Sequence, residues 1–283
     1  MVDSKIDVIC PIYFLNLKHF IDNVQSWVRE LPINRLIVGM NFDSHNFMIF
    51  QHEIEPLLEG IEVIKHDHTK FDTLGACLAD LMKEVQTTWF VFVHSDVELT
   101  ENCYLLMKSF MKSKIGIIES ARILYDGENF SQCDHHFKKR PYSGFQLIRK
   151  KAVEKYIEII EDDYIYRNED FIAKNQIEQA GYQYKKCWAM HYHQTVNSTT
   201  WSKPKEKAYD MQWKGLIKYT IPDPITLYAC LEAFKMNVKL HGYNTKQILE
   251  FAREVNPVWE KAIFDFYLIE MIDHIYYQNT KKA

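Results

Sequence analysis

Three short polar clusters carry the residue types that metal and proton chemistry require. His94-Ser95-Asp96-Val97-Glu98 directly follows the apolar run Trp89 to Val93. A carboxylate just past a buried strand can hold a divalent cation against two phosphate oxygens and neutralise a departing diphosphate. The same residues also fit a polar turn in which Asp96 caps a following helix. Glu169-Asp170 opens a helical stretch, where a carboxylate can take a proton from an attacking hydroxyl. Acids are favoured at that place by the helix dipole alone. His191-Tyr192-His193 ends a strand-like run. Alternation puts both imidazoles on one face, either as metal ligands or as two partly exposed strand histidines. His66, His68, His135 and His136 share no ligand spacing, and Asp134-His135-His136 reads as a surface loop or an acceptor contact.

The surrounding elements must place these clusters. Ile6 to Cys10 reads as a strand closed by Pro11. Leu17, Phe20, Val24, Trp27 and Val28 follow at helical spacing, with Asn16 as the expected cap. Leu36 to Val38 and Ile61 to Ile64 read as strands. Leu74, Cys77, Leu78, Leu81, Met82 and Val85 mark an amphipathic helix capped by Asp72 or Thr73. Trp89 to Val93 is an unbroken apolar strand. Such strands alternating with amphipathic helices predict a parallel sheet covered on both faces. Ligands of such sheets bind at the carboxyl ends of the strands.

The second half is less regular. Gly116 to Ile118, Ala121 to Leu124 and Phe145 to Ile148 read as strands, and Val153, Tyr156, Ile157 and Ile160 as one helix face. Glu169 to Ala180 reads as a helix stopped by Gly181, and Tyr184 to His193 as a strand. The stretch around Pro204, Pro222 and Pro224 reads as loop. From Ile225 onward the pattern is helical, with Trp259, Ile263, Phe266, Tyr267 and Ile275 needing cover from the core or a second subunit.

The bulk numbers bound the class. Of 283 residues, 47% are apolar and 25% charged, an ordinary globular composition. The net charge of −4 excludes a general nucleic-acid binder, and Lys138-Lys139-Arg140 and Arg149-Lys150-Lys151 read as solvated patches. The six cysteines are too scattered for a zinc ribbon or a CxxC pair, so a reduced, cytoplasmic protein is expected. No apolar run approaches the roughly 18 residues of a spanning helix.

Taken in order, the clusters resemble those of a known family. KIDVICPIYF (Lys5 to Phe14) resembles the opening strand and P-x-Y turn of the family-two glycosyltransferases. FVFVHSDVEL (Phe90 to Leu99) resembles their strand and acidic motif. SGFQLIRKKA (Ser143 to Ala152) resembles the segment before the acceptor helix. Asn168 to Phe171, Ala180 to Tyr182 and Ala189 to His193 resemble the E-D…G-Y…H pattern. The blocks run in the family's order over about residues 5 to 195.

The resemblance implies roles. Pro11 and Tyr13 lie against the nucleobase. Asn41 and Asp43 stand where an acidic pair usually reads the base. His94 takes the place of the first acid of D-x-D, with Ser95 beside it. Asp96, the last acid, ligates Mn²⁺ or Mg²⁺ with His193, and His191 is the alternative ligand. Asp170 is the catalytic base, with Glu169 its neighbour. No second acid follows this pair, because Phe171 and Ile172 come next.

The expected fold is therefore α/β of GT-A (Rossmann-like) type, a mostly parallel sheet flanked by helices with a helical C-terminal appendage. Residues 1–195 are the expected catalytic domain, 196–224 a loop-rich connection and 225–283 the helical region. The expected activity is metal-dependent, inverting transfer from a nucleotide-diphosphate sugar to a glycan or lipid-linked acceptor, serving polysaccharide synthesis. Partners include no nucleic acid. The C-terminal helices are expected to offer a homo-oligomer contact, and the inner membrane face is a peripheral location open to a cytoplasmic chain. Two rivals stand beside this reading. One is a GT-A-like domain that binds without turnover. The other is a nucleotidyltransferase, which usually carries a glycine-rich basic loop where this chain has Pro11 to Asn16.

Overall fold

A strand buried on both faces must be apolar at every position, and Trp89–Val93 is. Trp89, Val91 and Val93 pack into one core, while Phe90 and Phe92 pack into a second on the opposite face. The computed structural model describes residues 5–13, 16–41, 43–71, 74–125, 130–133, 141, 144–159, 168–194 and 205–280. Its nine strands, β1 (Ile6–Tyr13), β2 (Ile33–Asn41), β3 (Glu62–Asp67), β4 (Trp89–Val93), β5 (Val97–Leu99), β6 (Ile115–Tyr125), β7 (Phe130–Cys133), β8 (Phe145–Arg149) and β9 (Gln183–Gln194), form one sheet. The order is β3-β2-β1-β4-β8-β6-β9-β5, with β7 added beside β6.

The first four strands in that order are mutually parallel. β8 runs against both β4 and β6, so β6 and its parallel neighbour β9 point the same way as β4. One face is covered by α1 (Leu17–Glu30), whose Phe20, Val24 and Trp27 are fully buried against β1 and β2. The other face is covered by α3 (Leu74–Glu84), α5 (Glu154–Ile159) and α6 (Glu169–Gln179). Two short helices, α2 (Ser44–Ile49) and α4 (Cys103–Lys108), complete this half. The α/β architecture with a helical C-terminal region thus stands as the periodicity predicts.

Several boundaries move. β1 continues through Pro11 to Tyr13. Its pairing with β4 ends at Ile9, so Pro11 lies where that side of the strand is open, a place proline tolerates. Gly116–Ile118 and Ala121–Leu124 are parts of one strand, β6, joined through the buried polar pair Glu119 and Ser120. Asn16 occupies the position before α1 but makes no capping bond with its side chain. The loop-rich connection expected over 196–224 contains the helix α7 (Lys205–Tyr219). Pro222 follows its end and Pro224 opens the next helix, so the prolines punctuate helices instead of replacing them. Asp72, Thr73, Ile160, His135, His136 and the basic run at 138–140 lie outside the described residues.

α7, α8 (Pro224–His241), α9 (Thr245–Val255) and α10 (Pro257–Thr280) build a third core around Trp213, Phe234 and Trp259. Asp223 caps α8 through the backbone N–H groups of Ile225 and Thr226, and Asn244 with Gln247 closes a capping box on α9. Trp259 and Ile263 are buried there, Phe266 and Tyr267 pack against it, and Phe264 is exposed. Phe171 of α6 belongs to the same core, and Asn168, Asn175 and Gln176 bond to the backbone at Gln212, Ile221 and Tyr219. No helix among the described residues is long and apolar enough to cross a membrane.

At the opposite edge of the sheet from the strand ends, Asp7 is fully buried at the start of β1. Arg35 donates to it from Nε at 3.2 Å and Nη2 at 2.6 Å, Asn34 at 3.0 Å, and the backbone N–H groups of Gln86 and Thr87 at 2.7 and 3.3 Å. Burial alone would raise the Asp7 pKa, but these donors and the Arg35 charge hold it below the usual carboxylate value. Asp7→Ala leaves a buried guanidinium unpaired and should cost about 3–5 kcal/mol in urea unfolding. The carboxyl favours its ionised form more in the fold than in the unfolded chain. Its contribution is therefore complete above the unfolded value and lost as pH falls through the folded one, so the variant and parent stability curves should converge in acid.

Candidate functional site

β4 and β9 run the same way and end at the same sheet edge. His94, Ser95 and Asp96 form a turn after β4, closed by a hydrogen bond from Val97 N to His94 O at 3.2 Å. The chain then enters β5, so Asp96 precedes a strand and not a helix, which removes the capping alternative. β5 pairs antiparallel with β9, Val97 opposite His193 and Leu99 opposite His191. This register brings His193 Nε2 to 3.4 Å and His94 Nδ1 to 3.9 Å from Asp96 Oδ1. His94, Asp96 and His193 offer ligand atoms within 4.8 Å of one another.

The turn is held by residues whose part is not evident from the periodicity. Asn23, Ser26 and Trp27 lie on the buried face of α1. Asn23 Nδ2 donates to Ser95 O at 3.1 Å, Trp27 Nε1 to Val97 O at 2.8 Å, and Leu99 N to Ser26 Oγ at 3.0 Å. Gln194 N donates to Asp96 O at 2.9 Å, and its amide to Asn23 Oδ1 at 3.2 Å. Ser95 is buried by this frame.

Electrostatics leave the site in a ligand-ready state. Burial of His94 lowers its pKa to about 4, with Arg122 and His193 adding to the shift and Asp96 opposing it. Burial would raise Asp96, but the charges of His193 and His94 bring it down to about 2. At neutral pH the first is therefore a neutral imidazole and the second an ionised carboxylate. His94 Nε2, Asp96 Oδ1 and His193 Nδ1 are buried without hydrogen-bond partners. The opposite ring nitrogens, His94 Nδ1 and His193 Nε2, face the Asp96 carboxylate, and two imidazole nitrogens with one ionised oxygen are a donor set that a divalent cation takes.

His191 is adjacent but turned to other work. It is fully buried, Nδ1 lies 2.6 Å from Ser120 Oγ, and burial drives its pKa well below the ordinary value. Its Nε2 faces Gly144, where an added Cβ would come within 2.7 Å of it and 3.1 Å of His193 Nδ1. Gly144 O also accepts from His94 N at 3.0 Å. Arg122 of β6 sits opposite His191 in register, and its charge is felt at both His94 and His191.

The remaining predicted residues lie on the same edge or flank it. Pro11 and Tyr13 end β1, paired with Gly39 and with Asn41 at the end of β2. Asp43 is exposed and caps α2, accepting from Asn46 N at 3.0 Å. Glu169 and Asp170 form the first turn of α6. α6 ends in a Schellman turn at Gly181 (φ 84°) and leads at once into β9, so its N-terminus lies toward the edge at which β9 ends. Glu169 is buried, Asp170 is half-buried and accepts from Phe171 N at 2.8 Å. Tyr156, whose phenol burial pushes well up, feels both carboxylates.

Gly144→Ala should disturb the two imidazoles while sparing the sheet. We expect a fall of about 1–3 kcal/mol in stability and a loss of divalent-cation binding, measured by unfolding and by Mn²⁺ titration. Parental Mn²⁺ affinity in this variant would contradict the close packing described.

No protein-family profile matches the sequence, and no curated protein sequence matches it either. Solved structures do match. TarS residues 1–349 of S. aureus in complex with UDP-GlcNAc aligns over 90% of this chain and 84% of its own, with TM-score 0.60 and 11% identity. The same protein with UDP aligns over 92% and 83%, with TM-score 0.57 and 11% identity. The mannosyltransferase PcManGT of Pyrobaculum calidifontis, in complex with GDP-Man and Mn²⁺, aligns over 89% and 74%, with TM-score 0.53 and 10% identity. At such identities the likeness concerns the backbone. The chain has the GT-A fold of nucleotide-sugar glycosyltransferases.

Proposed function

We propose that the chain transfers a sugar from a nucleotide-diphosphate donor to an acceptor hydroxyl, with a divalent cation held by His94, Asp96 and His193. The observation that carries this reading is the convergence of those three side chains at the carboxyl edge of a GT-A sheet. The fold supports it further, since structures of this shape include complexes with UDP-GlcNAc and with GDP-Man and Mn²⁺. Two imidazoles and one carboxylate suit Mn²⁺ better than Mg²⁺, which prefers oxygen ligands. When bound, the ion supplies positive charge to the leaving diphosphate. Arg122 adds a fixed guanidinium near the same place. On this reading the base lies by Pro11, Tyr13, Asn41 and Asp43 at the ends of β1 and β2, with His94 and Ser95 on the diphosphate side.

Asp170 takes the proton of the acceptor hydroxyl, and Glu169 holds it in position. The hydroxyl then attacks the anomeric carbon opposite the diphosphate, inverting its configuration. The helix N-terminus favours the ionised form that a base needs. On this reading residues 1–195 are the catalytic part, and the region beyond, which contacts α6 directly, shapes the acceptor side.

Asp96→Ala should remove the metal-dependent part of nucleotide-diphosphate binding while leaving the fold intact. A thermal-shift panel of UDP, GDP, dTDP and CDP with and without Mn²⁺ reads this directly, because a ligand that binds only the folded chain raises its melting temperature. Equal shifts in parent and variant would reject the metal assignment. Asp170→Asn retains shape and capping ability but not basicity. Sugar transfer should fall by about 10²–10⁴-fold with donor binding little changed. Near-parental transfer would return Glu169-Asp170 to a purely structural place at the start of α6. A chain that binds donor and metal but neither transfers nor hydrolyses would be the non-catalytic GT-A domain.

A further inference from the structure

A second cluster lies at the same carboxyl edge as Asp96, at the end of β3, three places from β4 in the sheet. β3 carries His66 near its end, and His68 follows two residues later. α3, packed on β1 and β2, brings Asp80 over them. Asp80 Oδ2 lies 2.6 Å from His66 Nδ1 and 3.0 Å from His68 Nε2. These residues come from two elements, so their meeting is a product of the fold and not of local spacing.

The arrangement is built, not incidental. The His68 ring is fully buried and lies directly on Gly39 of β2, where an added Cβ would come within 2.0 Å of its Cε1 and Nδ1. His68 N donates to Met40 O at 2.9 Å, its carbonyl accepts from Phe71 N at 3.1 Å, and the Phe71 ring meets it edge-on at 5.0 Å. Its Nδ1 is buried without a partner. The imidazole is thereby fixed with Nε2 facing Asp80. The other two side chains reach solvent, His66 at 19% and Asp80 at 32% exposure. An ion therefore has both a rigid inner ligand and an open approach, with a free position for water.

We propose that His66, His68 and Asp80 form a second divalent-metal site, for Zn²⁺ or a related transition ion. Two imidazoles and one carboxylate are a familiar ligand set for such ions. A tetrahedral ion with bonds of about 2.0–2.2 Å needs ligand atoms roughly 3.3 Å apart. The present separations require only a small opening, which the partly exposed His66 and Asp80 can supply by side-chain rotation. The bound ion ties the end of β3 to α3 across Gly39. Ion binding here requires nothing from the proposed sugar transfer and stands or falls without it.

The test uses the full chain carrying Asp96→Ala, which silences the first cluster, after stripping with EDTA. Zn²⁺ is titrated by calorimetry, and Co²⁺ by visible absorption. We expect one Zn²⁺ per chain, visible d–d bands with Co²⁺, and a Zn²⁺-dependent rise in melting temperature. Adding His66→Ala, or separately Asp80→Asn, should weaken Zn²⁺ at least about tenfold and abolish that rise. His66 is partly exposed, so its removal leaves the packing of His68 on Gly39 in place. Absence of Zn²⁺ binding in the Asp96→Ala chain would overturn the proposal and leave a hydrogen-bonded His-Asp-His clamp. So would binding that neither further substitution weakens.

Discussion

The register of β5 against β9 is what the site depends on. Val97 stands opposite His193, and Gln194 N closes on Asp96 O at 2.9 Å. Side chains alternate along a strand with period two, so a slip of one residue would turn both imidazoles to the opposite face. β5 has only three residues and cannot set this register by ladder bonds alone. α1 supplies the rest, through Trp27 and Ser26 on the β5 backbone and Asn23 on Ser95. Polar groups on the buried face of an otherwise apolar helix thus convert its packing energy into a fixed position for the acidic turn. Each is satisfied, as a group in a dry interface must be.

Two glycines have a related duty. The His68 ring lies on Gly39, and the His191 and His193 rings lie against Gly144. Both glycines are in or beside strands, and neither has a positive φ among the described backbone angles. Their value is the missing Cβ, not conformational freedom. A strand that must receive an imidazole flat against its backbone has no other residue to offer. That close approach also immobilises the rings, which lowers the entropy cost of any ligand they hold.

The sequence made the parallel half legible because its strands are unbroken apolar runs and its helices show one clean stripe. Trp89–Val93 and Leu74–Glu84 are cases where pattern and packing agree. β6 reads as two strands because Glu119 and Ser120 interrupt it, and only the fold reveals their partners Lys186 and His191. β5 is hidden within a polar motif, since its strand character comes from pairing with β9. α7 is masked by prolines that cap or follow helices. Asp96 is visible through its place after a strand, and His193 through its place near the end of one. Arg122, Asn23 and Gly144 act through tertiary neighbours and leave no local signal. His66 and His68 could be seen as alternating, but Asp80 is far along the chain on a helix, and no spacing rule connects them.

Under the proposed function, His94, standing where the family resemblance expects an acid, sets the charge balance of the site. With His94 neutral and Asp96 ionised, the protein brings one negative charge to a doubly charged cation, where two acids would bring two. Under the proposed function, less of the ion's charge is cancelled by the protein and more is left for the diphosphate. Arg122 pushes in the same direction, since a guanidinium repels a bare cation and attracts a phosphate. The consequence is interdependence: a weakly held ion becomes firmly held when the diphosphate adds its own charge and oxygen ligands. By linkage, the nucleotide gains from the ion by the same factor. A site built from two imidazoles and one carboxylate therefore favours the ternary assembly over either binary one. That suits an ion whose work is confined to the time the donor is present.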